Sequence, residues 1–235
     1  MAASASVKFI RALRQRWQET DWDQWRWSRL DKTKWKEPFR LMIHPVDGFT
    51  VLKYEGRGSV GIATLIALAL FLVTVVEYFA YGFVFNLNRP QDFRLMIQFL
   101  SSFLLLVLWC IANWALCTLL DGEGKGREIW TAACYAFFPR ALLGIPLVLV
   151  SRVLCLEEQA FLVMFEGVLT GWCLLLLFIG TMITHQFSFK KTLLSCLLTV
   201  VGMVALVYLA MLFMSMFQQM TAFIETVIRE AVSRR

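Results

Sequence analysis

Long apolar runs fill the chain after Gly58, and this pattern constrains the fold more than any other feature. A helix needs roughly 20 mostly apolar residues to cross ~30 Å of hydrocarbon. Hydrophobic residues make up 59% of the chain, whereas soluble domains contain about 45–50%. We therefore predict an all-α integral membrane protein that forms a five-transmembrane-helix bundle. The predicted spans are Ser59–Ala80, Phe93–Leu120, Glu128–Leu154, Glu158–Ile183 and Thr192–Phe217.

Composition divides the chain into three regions. Residues 1–57 form a basic, Trp-rich juxtamembrane region, residues 58–217 hold the five apolar runs, and residues 218–235 form a C-terminal tail. The first apolar run begins too far from the N-terminus for a cleaved signal peptide. We therefore expect the first helix to be retained as an anchor.

The N-terminal region carries the pattern of an interfacial helix. Val7, Ile10, Leu13 and Trp17 recur at helical spacing among basic residues. Such a segment is typical of an amphipathic helix in the headgroup layer, where anionic lipid is the nearest partner. A tail that docks on the bundle is the alternative. Nucleic acid is not expected as a partner.

The C-terminal tail also has an apolar face. Met220, Phe223, Ile224, Val227 and Ile228 share one side of a helix, and charged residues occupy the others. This pattern predicts a second amphipathic helix at the membrane surface. A straight extension of the fifth span into water fits the same residues.

Basic residues near the ends of the runs indicate the orientation. Lys and Arg are more frequent in the loops on the N-terminal side, and such loops are cytoplasmic by the positive-inside rule. We expect the N-terminus in the cytoplasm and, after five crossings, the C-terminus outside.

Five polar side chains lie in or at the ends of the apolar runs. Ionisable groups inside a bilayer are costly unless they are paired or hydrated, so each of the four ionisable ones is a candidate for function. Asn113 is expected to hydrogen-bond between helices. Arg140 and Glu166 are expected to pair across adjacent helices, either as a structural clasp or as part of a polar path. The five residues are Glu77, Asn113, Arg140, Glu166 and His185.

Prolines and glycines shape the predicted spans. Pro139 and Pro146 lie inside the third span and favour a kink there. Gly167 and Gly171 have the four-residue spacing that lets helix backbones approach closely. Packing within the chain is the simpler expectation for this pair, and dimerisation is the alternative. Gly144, Gly180 and Gly202 also permit close approach.

Motifs of catalysis and metal binding are missing from the sequence. The six cysteines form no C-x-x-C pair, and His44 and His185 stand on different segments. The loop Gly122–Gly126 lacks the Gly-Lys-Ser/Thr ending of a phosphate loop. We therefore expect no enzyme activity, no catalytic residues, no cofactor and no metal site.

An ordered set of short motifs resembles the Yip1 domain family, and its bacterial branch most closely. Two of these motifs lie at 44–59, which begins with His44-Pro45, and at 185–192, which begins with His185-Gln186. The central stretch holds the rest: Asn113-Trp114, Thr118-Leu119, Asp121, Gly122, Gly124, Glu128, Tyr135 and Pro139.

The resemblance implies five transmembrane helices and a cytosolic N-terminus. Eukaryotic members resemble trafficking factors that bind prenylated small GTPases and associate with one another. The N-terminal Asp-Leu-Tyr-Gly-Pro-type segment of that branch is missing here, which favours a bacterial plasma membrane and speaks against GTPase binding. The family supplies no catalytic residues.

Two functions compete on this basis. The first is a membrane scaffold or adaptor that binds lipid and other membrane proteins, including transporter subunits or a second copy of itself. The second is an accessory subunit of a transporter, or a small transporter or channel, that uses Arg140 and Glu166. An odd number of helices without an inverted repeat disfavours an autonomous carrier.

Overall fold

The computed structural model describes residues 32–83, 85–86 and 92–233, and every regular element in these ranges is helical. Short 3-10 turns, Lys32–Lys36 and Leu156–Glu158, precede two of the α-helices. The predicted interfacial helix around Val7 to Trp17 lies outside the described residues. The α-helices are α1 (Glu37–Ile43), α2 (Pro45–Tyr54), α3 (Val60–Ala80), α4 (Leu95–Leu119), α5 (Gly126–Ala136), α6 (Phe138–Ser151), α7 (Gln159–His185) and α8 (Phe189–Ser233).

Five helical segments of the described chain are long and apolar enough to cross a membrane, which confirms the predicted five-span bundle. The third segment joins α5 to α6, and the fourth includes the turn before α7. The five are Val60–Ala80, Leu95–Leu119, Gly126–Ser151, Leu156–His185 and Phe189–Thr226.

The third span is broken where the sequence predicts a kink. α5 ends at Ala136, and Phe137 separates it from α6, in whose first turn Pro139 lies. Proline is well accommodated in a first turn, because the amide hydrogens there have no partner within the helix. Pro146 lies inside α6 without ending it. The single helix predicted from Glu128 to Leu154 is therefore wrong in this detail.

α5 forms the centre of the bundle and packs against α3, α4 and α7. Small side chains on α5 let these helices come close, and Ala132, Ala133 and Ala136 are all buried. Tyr135 is fully buried among them. α2 packs against α7 and places the Phe49 ring in the core.

The glycines expected to allow close approach divide into two groups. A Cβ at Gly180 would press on the Phe49 ring, and one at Gly144 would overlap Val73. By contrast, nothing lies within 4 Å of a Cβ built at Gly167 or Gly171. The expected intramolecular packing of this second pair is therefore wrong, because α7 turns this face away from the bundle.

α8 is one continuous helix of 45 residues, about 67 Å long at 1.5 Å per residue. Through Ser233 the tail is therefore an extension of the fifth span, which is one of the two predicted arrangements, and it does not form a separate surface helix there. α8 packs on α4 and α7. Beyond Leu206, all of its described side chains are exposed.

Candidate functional site

The polar residues of the bundle gather at two levels. We define the proximal end as the end where α3, α5 and α8 begin and where α4 and α7 end. The distal end is the opposite one. The proximal cluster consists of Asn113, His185, Thr199 and the loop 121–124, whereas the distal cluster consists of Glu77, Tyr81, Arg140 and Glu166.

In the proximal cluster, side chains from three helices form a buried chain of hydrogen bonds. His185 Nε2 lies 2.9 Å from Asn113 Oδ1, and Asn113 Nδ2 donates to Thr199 Oγ1 at 3.3 Å. All three residues are at most 1% exposed. This chain links α4, α7 and α8, so Asn113 bonds between helices as predicted. Buried polar groups paired in this way fix the register of the helices.

The loop after α4 covers the His185 ring with its backbone. A Cβ at Gly122 would stand 2.7 Å from His185 Nδ1, and one at Gly124 would stand 2.6 Å from Cε1. Asp121 adopts a left-handed conformation with φ 58°, which turns the chain over the end of α4. Glycine at 122 and 124 is thus required by contact with the imidazole.

A latch of side chains holds the proximal end of α7. Lys53 Nζ on α2 donates to the carbonyl oxygens of Thr184, at 2.7 Å, and Ile183, at 3.3 Å. Gln186 donates to Glu123 Oε2 at 2.5 Å. Burial lowers the pKa of Lys53, and the charges of Glu128 and Glu123 oppose that shift. A cation at a helix C-terminus stabilises the exposed carbonyl groups.

Removing this latch gives a first prediction. We expect Lys53→Met to lower the free energy of unfolding by about 1–2 kcal/mol, because two carbonyl groups of α7 lose a charged donor. Unfolding in mixed micelles measures the effect, and Lys36→Met, at an exposed position, is the control. Equal stability of the two variants would contradict the role given to Lys53.

Other residues of the central motif support the same end of the bundle. Glu128 Oε2 accepts a hydrogen bond from the Lys125 amide at 3.2 Å and so caps the start of α5. Tyr135 and Pro139 are buried in the core and in the first turn of α6, respectively. The loop residues and Glu128 therefore converge around the proximal ends of α4, α5 and α7, whereas Tyr135 and Pro139 lie deeper, near the middle of the third span.

The distal cluster differs from the expectation in its pairing. Arg140 Nη2 on α6 lies 2.7 Å from Glu77 Oε1 on α3. Glu166 instead accepts a hydrogen bond from the Tyr81 hydroxyl at 2.8 Å. The predicted Arg140–Glu166 ion pair is therefore wrong. Gly144 lets α3 pack closely against α6, and Glu77 Oε1 lies 3.5 Å from a Cβ built at Gly144. Glu77, rather than Glu166, is therefore within ion-pair distance of the Arg140 guanidinium.

Tyr81 is the functional candidate that the sequence did not reveal. It stands just past the end of α3, and burial together with the hydrogen bond to Glu166 raises the pKa of its hydroxyl. The phenol therefore stays a donor to the carboxylate. The only sequence signal for this contact is that Tyr81 directly follows the end of one span and that Glu166 lies inside another.

Apolar packing separates the two clusters. Along α3, α5 and α7, the positions between the clusters include Ile66, Ala133 and Leu176, and all three are buried. Within the described ranges, no group of three or more His, Cys, Asp or Glu residues is placed to hold a metal ion. The proximal cluster can fix the register of the helices, whereas the distal cluster can present charged groups.

Comparison with known proteins agrees with this architecture. No curated protein and no solved structure matches the chain significantly. A family model of the Yip1 domain matches residues 39–223, which include α2 to α7, both polar clusters and most of α8. The chain is therefore a multi-pass membrane protein that belongs to the Yip1 domain family.

Proposed function

We propose that this protein is a non-enzymatic membrane adaptor that binds other membrane proteins and anionic lipid. The main support for the proposal is the exposed C-terminal half of α8. The apolar stretch of the whole helix runs from Phe189 to Thr226, which is 38 residues. At 1.5 Å per residue this stretch measures about 57 Å, nearly twice the ~30 Å of a hydrocarbon core.

Lipid alone covers only part of such a helix. A typical tilt of about 20° shortens its projection by only a few ångström, so many apolar residues extend past the hydrocarbon. Exposed side chains in this part of the helix include Met211, Phe213, Met214 and Met216. Flexible Met side chains suit surfaces that adapt to different partners. Another membrane protein is the natural cover for this segment.

The proximal side supports the lipid part of the proposal. Trp35, Phe39 and Ile43 follow one another at four-residue intervals and are all exposed. The exposed basic residues Lys36 and Arg40 lie next to them in the chain. Exposed aromatic and basic side chains together are typical of contact with anionic headgroups. The excess of basic residues on this side favours a cytoplasmic N-terminus and an external C-terminus. The lack of the N-terminal segment of the eukaryotic branch favours a bacterial plasma membrane.

A transporter role is the second candidate. Its support is the distal cluster, where Glu77, Arg140 and Glu166 lie within the spans. The buried apolar residues between the clusters interrupt a polar path. An accessory subunit of a larger transporter fits these observations better than an autonomous carrier.

Photo-crosslinking in the membrane tests the adaptor proposal. A photoreactive residue placed at Met211 or Met214 should form covalent adducts with one or a few defined membrane proteins. The control is Leu72 on α3, whose side chain is similarly exposed and should contact only lipid. If the α8 positions also give lipid adducts alone, the adaptor proposal is refuted. Adducts with transporter components would instead identify the protein as an accessory subunit.

A further inference from the structure

The hydrogen-bond chain of the proximal cluster has a fixed direction. The Thr199 hydroxyl donates its single proton to the Ser195 carbonyl oxygen at 2.8 Å, so it can only accept from Asn113. The Asn113 amide group therefore faces Thr199 with Nδ2, at 3.3 Å, and faces His185 with Oδ1. Because an amide oxygen only accepts, His185 Nε2 carries a proton and donates it to Asn113 Oδ1 at 2.9 Å.

This direction fixes the tautomer of the buried imidazole. A neutral imidazole holds one proton, so the other nitrogen of His185, Nδ1, can only accept a hydrogen bond. Nδ1 faces the loop after α4, since a Cβ at Gly122 would stand 2.7 Å from it and one at Gly124 would stand 2.8 Å from it. The closed loop thus lies directly on the nitrogen to which a second proton would bind.

A proton on Nδ1 would disturb the closed loop in two ways. It would turn the acceptor that faces the loop into a donor. It would also place a positive charge on a side chain that is only 1% exposed, and burying a charge is costly. The closed arrangement therefore favours the neutral form of His185.

Charged groups of both signs hold the segments next to the ring. Lys53 on α2 donates to two carbonyl groups at the end of α7. Lys191 on α8 lies 4.4 Å from the centre of the Phe187 ring, which stacks on His185, whereas Glu123 lies in the loop itself. Because both signs are present, their effects on a charge at His185 oppose each other. Other titratable groups on the neighbouring elements include Cys117 on α4, Asp121 and Lys125 in the loop, and Arg127 and Glu128 on α5.

We infer that the loop after α4 is a proton-sensitive cover, which closes over neutral His185 and is released when Nδ1 takes up a proton from the proximal aqueous side. Opening the loop would expose the ring to water, where a histidine has a pKa of about 6.5. The open state then binds a proton that the closed state excludes, so the closed state loses stability as the pH falls through this range. The inference goes beyond the adaptor proposal and does not depend on it.

Selective labelling makes His185 directly observable, because the chain has only two histidines. In a His44→Gln variant, ¹⁵N-histidine labels His185 alone, and NMR in liposomes reports which ring nitrogen carries a proton. His44 is exposed, so its replacement should leave the fold unchanged. At about pH 7.5, above the ordinary histidine range, we expect a neutral ring with its proton on Nε2. A neutral ring with its proton on Nδ1 would overturn the inference.

Hydrogen exchange of the full-length protein in liposomes measures the loop itself. After correction for the intrinsic pH dependence of exchange, the amides of residues 122–126 should open roughly tenfold more at about pH 5.5 than at about pH 7.5, because the lower value is about one unit below the histidine pKa. His185→Gln keeps an amide donor for Asn113 but does not titrate, so this response should vanish. His44→Gln is the matched control and should retain it.

Two results would overturn the inference. One is loop protection that stays the same at both pH values, and the other is a pH response that persists in a folded His185→Gln variant. If His185→Gln does not fold, the NMR signal of His185 decides, because protonation and loop opening must occur over the same pH range. Crosslinking from α8 at neutral pH tests the adaptor proposal separately, since it does not involve His185.

Discussion

Replacement of Arg140 by methionine is expected to destabilise the bundle by about 3–5 kcal/mol. Removing one member of a buried ion pair leaves the other charge uncompensated, and here Glu77 would remain at membrane depth without its cation. The Arg140 and Glu77 side chains are only 27% and 21% exposed. The free energy of unfolding in mixed micelles measures this loss.

A double-mutant cycle identifies the true partner of Arg140. The double variant Arg140→Met with Glu77→Met should recover most of the lost stability, because neither charge remains. The same cycle with Glu166→Met should show a much smaller coupling. A larger coupling with Glu166 than with Glu77 would contradict the pairing described here. It would favour the pairing that the sequence alone suggested.

Replacement of Gly82 by alanine is expected to be the most damaging single-methyl change in the chain. Gly82 is buried after α3, and its amide donates to Ser151 Oγ at 2.9 Å. A Cβ at this position would collide with the backbone carbonyl group of Ser151. Backbone atoms cannot move aside as a side chain can, so we expect a loss of about 3 kcal/mol, at the upper end of overpacking effects.

Gly171→Ala is the matched control for this change. It adds the same methyl group in the middle of α7, where nothing lies within 4 Å. Because alanine is the better helix former, the control should be neutral or slightly stabilising. The expected difference appears directly in the unfolding midpoints of the two variants. A tolerated Gly82→Ala would mean that α3 and α6 do not meet closely at their distal ends.

The five spans were predictable because length and hydropathy alone decide which segments cross a bilayer. The break in the third span was partly predictable, since Pro139 restricts the backbone. The position of the break was not, because Pro146 carries the same signal and yet remains inside α6. Choosing between them requires the packing of α6 against α3.

The contacts of the two clusters were harder to predict. Apolar runs do not show which helices are neighbours. The sequence alone therefore favours a pairing of Arg140 with Glu166, although Gly144 brings α3 and Glu77 closer to Arg140. Tyr81 and Lys53 were missed as partners because each acts across a long sequence separation. Asn113 was recognised, since an amide inside a span needs a partner on another helix. Its link to His185 emerges only when α4 and α7 are placed together.

The unequal lengths of the spans have a consequence for the surrounding lipid. α3 offers the bilayer an apolar stretch of 21 residues, whereas α8 offers 38. α8 packs on α4 and α7 and makes no substantial contact with α3, so the short and long helices meet lipid at different edges of the protein. Lipid that follows both edges must be thin beside one and thick beside the other. Without a protein partner on α8, the chain would therefore impose a gradient of bilayer thickness across its own width, and mismatch of this kind sorts proteins among membranes of different thickness.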